Sequence, residues 1–126
     1  MARILIAEDE EALCAMCARA LTIDGHEVKT AADGSEALEV LERERGNFDL
    51  LLTDIRMPIM DGIALALAAA RDFPNLTILL MTGYADQRER ASGLDALIHD
   101  VITKPFALAA LRNTVSEALA VHAHGN

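Results

Sequence analysis

Asp54 closes the apolar run Leu50-Leu51-Leu52-Thr53 and is followed by Ile55-Arg56-Met57-Pro58-Ile59-Met60-Asp61-Gly62. A carboxylate at the end of a buried strand is costly unless something uses it. Water, a metal ion or a reactive phosphoryl group could each supply the reason. Other reactive side chains stand at similar breaks: Glu8-Asp9-Glu10-Glu11 after Ile4-Leu5-Ile6-Ala7, Thr82-Gly83 after residues 76–81, and Lys104-Pro105 after residues 98–103. A single acid at a strand end is more often a solvated loop start or a helix cap than a site. The set of them points to chemistry.

The runs that deliver these residues read as strands. Residues 3–7 are a short apolar run with β-branched residues, as in a strand buried on both faces; 26–30 read as a short strand around Val28, and 48–53, 76–81 and 98–103 as the third, fourth and fifth strands. Between them the apolar positions switch to helical spacing. One helix follows Glu11 and ends at Asp24-Gly25, where glycine tolerates a left-handed backbone. A second follows Asp33-Gly34-Ser35, with Ser35 the expected cap, and carries Ala37, Leu38 and Leu41. Asp61 caps a third over residues 62–72, and Pro74-Asn75 breaks it. The segment 85–96 is charged at first and holds Gly93, which predicts a short or irregular fourth helix. A final amphipathic helix spans about 108–121, leaving 122–126 as a tail. Strand–helix alternation of this kind predicts one α/β domain, residues 1–121, with a mostly parallel sheet between two helical layers.

Composition narrows the function classes. The 126 residues suffice for one domain with a sizeable core, and 52% hydrophobic content is globular. A net charge of −9 argues against non-specific binding to nucleic acid or anionic lipid. The longest apolar run, residues 63–70, is too short to span a bilayer, and Glu8 interrupts any signal-peptide core. A soluble, cytoplasmic protein without membrane insertion is expected.

Cys14 and Cys17 form a C-x-x-C, yet they lie in a helical apolar pattern with Leu13, Met16, Ala20 and Leu21. With no second pair they cannot complete a tetrahedral zinc site, and they read as core cysteines. His122 and His124 are two apart, so a helix would point them to different faces.

In an open parallel sheet all strands end on one edge, where ligands bind. Glu8, Asp9, Asp54, Thr82 and Lys104 would therefore converge from four strands. Clustered carboxylates repel unless a cation neutralises them. Oxygen ligands of this type suit Mg²⁺. Lys104 can pair with Asp54 or with a phosphate oxygen, Thr82 offers a hydroxyl donor, and Gly83 leaves room for a bulky group. The combination fits a carboxylate nucleophile attacking a phosphoryl group, giving an aspartyl phosphate. A phosphatase of the haloacid dehalogenase class would need a second Asp two residues on, where Arg56 stands. A dinucleotide site would need a Gly-rich turn, where four acids stand instead.

Four segments, Ile4-Leu5-Ile6-Ala7-Glu8-Asp9-Glu10, Leu52 to Gly62, Met81-Thr82-Gly83-Tyr84 and Thr103-Lys104-Pro105-Phe106, resemble the signature segments of bacterial response-regulator receiver domains (CheY-like). The resemblance implies a flavodoxin-like (βα)5 fold with strand order 2-1-3-4-5. It also implies that Asp54 is the phosphoacceptor and that Mg²⁺ is held by Asp9, Asp54, the Arg56 backbone carbonyl and, through water, Glu8. Thr82 and Lys104 would bind the phosphoryl oxygens, and Lys104-Pro105 would be cis. The donor would be a phosphohistidine on a histidine kinase or a histidine phosphotransfer protein. On this reading the chain is not an enzyme in the usual sense; it assists its own phosphotransfer and dephosphorylation.

The pattern is also similar to the CpdR-type single-domain regulators, which implies a stand-alone receiver, monomeric or weakly dimeric, that signals by protein contact and acts on ClpXP proteolysis. Two departures stand out. Val101 occupies the place, three residues before Lys104, where most of the family has Tyr or Phe. Residues 93–99 lack the usual Gly-Ala pair. These predict a signalling surface displaced from the usual one around the fourth helix, fifth strand and last helix. A phosphorylation-independent adaptor with this fold is the alternative.

Overall fold

Leu50, Leu51, Leu52, Thr53 and Asp54 form the middle strand of a five-stranded sheet, and all five are buried. The computed structural model describes residues 1–83, 91 and 93–124. Its elements run β1 (Arg3–Ala7), α1 (Glu11–Ile23), β2 (Glu27–Ala31), α2 (Gly34–Arg43), β3 (Leu50–Asp54), α3 (Gly62–Asp72), β4 (Thr77–Thr82), β5 (Asp100–Thr103) and α4 (Leu108–His124). The order across the sheet is β2-β1-β3-β4-β5, with every pair parallel. This is the flavodoxin-like arrangement of CheY-like proteins. The helix expected over residues 85–96 falls mostly outside the described residues, so four helices are described and not five.

Alternation along the strands sorts the core into two layers. Leu5, Leu51, Ile78 and Leu80 pack on one face with Ala37, Val40 and Leu41 of α2 and Leu65, Ala66 and Ala69 of α3. Ile4, Ile6, Leu50, Leu52, Leu79 and Met81 pack on the other face with Cys17 and Leu21 of α1 and Leu111, Val115 and Ala118 of α4. Truncating any of the fully buried leucines to Ala should cost about 2–5 kcal/mol. Val101, partly buried, packs on the α2–α3 side and pairs with Leu80.

Local chemistry sets the element ends, and it corrects two expectations. Asp33, not Ser35, caps α2: its Oδ1 accepts from the Glu36 N–H at 2.8 Å, and Ser35 lies inside the first turn. The shorter carboxylate one turn back reaches the third amide of the helix, so capping falls to Asp33. Met16 is 52% exposed, whereas Cys17, Ala20 and Leu21 are buried, so the apolar stripe of α1 is narrower than its spacing predicts. Asp61 caps α3 as expected, accepting from Ala64 N–H at 2.9 Å. α4 continues three residues past Val121 to His124, since the first helix breaker in the sequence is Gly125.

Both cysteines are free, Cys17 buried and Cys14 half-buried. Burial, then the neighbouring Cys14, push the Cys17 thiol up to about 11, so it stays protonated and serves as core.

Candidate functional site

The sheet ladder runs one step past the strands and sets the site. Glu8 N–H donates to Ala31 O at 3.0 Å, Ile55 N–H to Met81 O at 3.1 Å and Lys104 N–H to Thr82 O at 2.7 Å. Glu8, Asp54 and Lys104 are thus fixed at the carboxyl edge by backbone bonds, before any side-chain contact. Thr82 ends β4, paired with Thr103 and one residue beyond the Asp54–Met81 rung.

Side chains then close on one another. Lys104 Nζ lies 2.8 Å from Glu8 Oε1 and 3.2 Å from Asp54 Oδ1. Asp54 Oδ1 also accepts from the Ile55 N–H at 3.0 Å, so both contacts fall on the same oxygen. Glu8 Oε2 accepts from the Glu10 N–H at 3.2 Å. Glu8, Asp54 and Thr82 are only 2%, 5% and 1% exposed, whereas Asp9 is exposed. Oxygens of Glu8, Asp9 and Asp54 all lie within 4.8 Å of one another.

Electrostatics follow from this crowding. Partial desolvation, a hydrogen bond with Glu8 and the Glu8 charge together push the Asp9 carboxyl above its ordinary value. Burial alone would lower Lys104. The Glu8 hydrogen bond and the charges of Asp54 and Glu8 outweigh it, so Lys104 is raised and stays an ammonium. Among the described residues lining the cleft, Glu8, Asp9 and Asp54 face the Lys104 ammonium, with Arg56 on the wall, so the acids outnumber the cations. A hard oxygen donor set with an acid surplus fits Mg²⁺, which takes one or two carboxylates and keeps open positions.

The loop between β3 and α3 forms one wall. Gly62 N–H donates to Ile55 O at 2.8 Å, and a Cβ on Gly62 would meet Asp54 O at 1.9 Å. Only glycine lets the loop return so closely onto the strand end. The cleft in front of Asp54, about 630 Å³, is lined by Glu8, Asp9, Arg56, Gly83, Lys104, Pro105 and Phe106, among others. The Lys104-Pro105 bond is cis.

Every residue expected at the site is therefore at this edge: Glu8, Asp9, Asp54 and Lys104 in mutual contact or nearly so, Arg56 on the cleft wall, Thr82 buried at the adjoining strand end. Tyr84 lies outside the described residues. Sequence reasoning missed the close return of Gly62, whose only signal is an Asp-Gly just after a strand-end loop.

A doubly wound parallel domain with an acidic, lysine-bearing cleft at its carboxyl edge defines a class of phosphoryl- and metal-handling signalling folds. The chain belongs to the response regulator receiver domain family, which it matches over residues 4–116. It is similar to a CheY-like receiver domain protein of Methanospirillum hungatei, with TM-score 0.89, 31% identity and 98% of each chain covered. It is also similar to the response regulator TrrA of Thermotoga maritima in complex with Mg(2+)-BeF, with TM-score 0.81, 30% identity, and 94% of this chain and 99% of that one covered. The transcriptional regulatory protein TcrA of Mycobacterium tuberculosis is 37% identical over 106 residues, which are 84% of this chain and 41% of TcrA. The chain thus spans less than half the length of the curated relatives it matches first. Receiver domains interact with histidine kinases or phosphotransfer proteins and generally bind Mg²⁺ in an acidic pocket, as a module of two-component signalling. No described helix is long and apolar enough to cross a membrane.

Proposed function

We propose that Asp54 accepts a phosphoryl group from a phosphohistidine and that the chain signals through the contacts this changes. The observation that carries the reading is the convergence of Glu8, Asp9 and Asp54 oxygens within 4.8 Å, with Lys104 bridging Glu8 and Asp54. In the step itself one carboxylate oxygen of Asp54 forms a bond to phosphorus as the phosphorus–nitrogen bond of the donor breaks. The imidazole nitrogen leaves with the electron pair, and the product is an acyl phosphate.

Lys104 is held protonated and can move from Asp54 Oδ1 to a phosphoryl oxygen. Thr82 supplies a hydroxyl donor from the neighbouring strand. Mg²⁺, held by Asp9, Asp54 and the Arg56 carbonyl with Glu8 behind them, would neutralise charge on the group in flight. That TrrA is solved with Mg(2+)-BeF supports this assignment by likeness. The same residues would hold the acyl phosphate until water attacks it, so the chain assists both its own phosphotransfer and its dephosphorylation and is no enzyme toward other substrates.

The finer reading is a cytoplasmic, stand-alone regulator whose output is protein contact, of the CpdR type and acting on ClpXP proteolysis. What supports it is the sequence pattern, with Val101 in place of the aromatic. Incubation with Mg²⁺ and phosphoramidate should add one phosphoryl group by mass, and Asp54→Asn should take up none. Equal uptake by the variant would overturn the assignment. Failure of the wild type to take up any would favour the phosphorylation-independent adaptor.

A further inference from the structure

The cleft in front of Asp54 is larger than a phosphoryl group requires, and it is not polar throughout. Its volume of about 630 Å³ is that of a pocket for an organic ligand, typically about 300–1,000 Å³. Phosphoryl and metal chemistry use the floor, where Glu8, Asp54 and Lys104 meet. Three other lining residues, Leu13, Pro105 and Phe106, offer neither charge nor a side-chain hydrogen bond.

These three belong to one wall. Leu13 comes from the first turn of α1 and Phe106 from the loop between β5 and α4. Both are half-buried and pack against the core layer that α1 and α4 share, so each is held from behind while it lines the cleft in front. Pro105 joins Lys104 of the floor to Phe106 of the wall. An apolar lining with a few convergent polar groups is the usual make-up of a small-molecule site. Nothing in the bond exchange at Asp54 needs that apolar part.

The direction of attack says which part of a donor meets the wall. Asp54 is 5% exposed, so phosphorus reaches it from the cleft. In-line displacement then puts the leaving group on the far side of phosphorus, out in the cleft. Resting on the phosphoacceptor reading, we infer that this cleft also takes small acyl phosphates with a short apolar acyl chain as phosphodonors, and that Leu13 and Phe106 select the chain. In that step an Asp54 oxygen forms a bond to phosphorus, and the bond from phosphorus to the acyl oxygen breaks. The carboxylate leaves with the electron pair. One carboxylate replaces another on phosphorus, so the exchange is close to thermoneutral and needs no proton. The chain touches the wall equally in the bound donor and in the transition state, so the contact lowers KM and leaves kcat nearly unchanged.

The test measures labelling of the wild type, with Mg²⁺, from acetyl, propionyl and butyryl phosphate and from phosphoramidate, which has no acyl chain. The three acyl donors release carboxylates of nearly equal basicity, so differences among them report the chain. Through KM, kcat/KM should rise about threefold for each added methylene, somewhat less than full burial would give. Leu13→Gln and Phe106→Gln should each flatten the series, read as a ratio to the phosphoramidate rate of the same variant. Leu13→Met, which keeps an apolar side chain, should preserve it. A flat series in the wild type would overturn the inference, as would a rise that persists in both glutamine variants or that appears in kcat alone. If phosphoramidate and all three acyl phosphates leave the wild type unlabelled, the phosphoacceptor reading itself has failed and this inference falls with it.

Discussion

The two ends of the sheet treat charge in opposite ways. At the amino edge, Arg3 donates to Glu27 and Glu44 at 2.5 Å each and to Asn47 O, and it lies 4.5 Å from the centre of the Phe48 ring. Lys29 adds a second cation on Glu44 at 2.6 Å, and Asp49 accepts from the Arg3 N–H at 2.7 Å. Hydrogen bonds from Lys29 and then Arg3 hold the Glu44 carboxyl below its ordinary value. At the carboxyl edge Glu8 and Asp54 share Lys104, and Asp9, beside them, is pushed above its ordinary value. One edge satisfies its charges. The other keeps them wanting a cation, and that unmet demand is what a binding site needs.

The strongest way to break this contrast is to remove Lys104, the cation that pairs with Glu8 and Asp54. Lys104→Met removes the ammonium that pairs with buried Glu8 and Asp54, and should cost about 3 kcal/mol in metal-free buffer. Added Mg²⁺ should return part of that loss. A cost below about 1 kcal/mol by denaturant unfolding would mean that the two acids need no partner, and the contrast would collapse.

Arg3→Ala probes the other edge. Glu27 is exposed and Glu44, only partly buried, keeps Lys29 as a second cation, so the loss of stability should be smaller than at Lys104, with phosphoramidate labelling of Asp54 unchanged. The pH dependence has a definite sign. Because folding lowers Glu44, its pairs stabilise the protein above the ordinary value of 4.5 and lose that contribution as pH falls through the lower folded value. The gap between wild type and Arg3→Ala should therefore narrow below pH 4.5. A gap that widens in acid would place the Arg3 contribution in packing against Phe48.

The carboxyl edge was the more legible of the two in the sequence. Parallel strands all finish on one side, so residues that terminate separate apolar runs must meet there; Glu8, Asp9, Asp54, Thr82 and Lys104 could be grouped without any distance. The amino edge had no such rule. Arg3 meets Glu27, Glu44 and Asn47 across 24, 41 and 44 residues of chain, and nothing in local spacing announces those pairs. The left-handed backbone of Ile59 was hidden for a different reason: the loop it sits in is closed by contacts at Gly34 and Gly62 that exist only once the loop is folded. Strand order came from the family resemblance, since alternation alone gives a parallel sheet without an order. Asp33 took the cap expected of Ser35 because both are good caps and only geometry chooses between them.

The most direct test of the contrast is a Mg²⁺ titration of unfolding stability in wild type and Asp9→Asn. Folding raises Asp9, so its charge opposes folding above its folded value and the penalty fades as pH falls through it. At neutral pH without metal, Asp9→Asn should thus be as stable as the wild type or more so. The wild type should gain stability with the logarithm of Mg²⁺ concentration above the dissociation constant, about 1.4 kcal/mol at ten times that constant. Asp9→Asn should gain little over the same range. Equal gains in both proteins, or none in either, would contradict the claim that the acid surplus at this edge is a cation site.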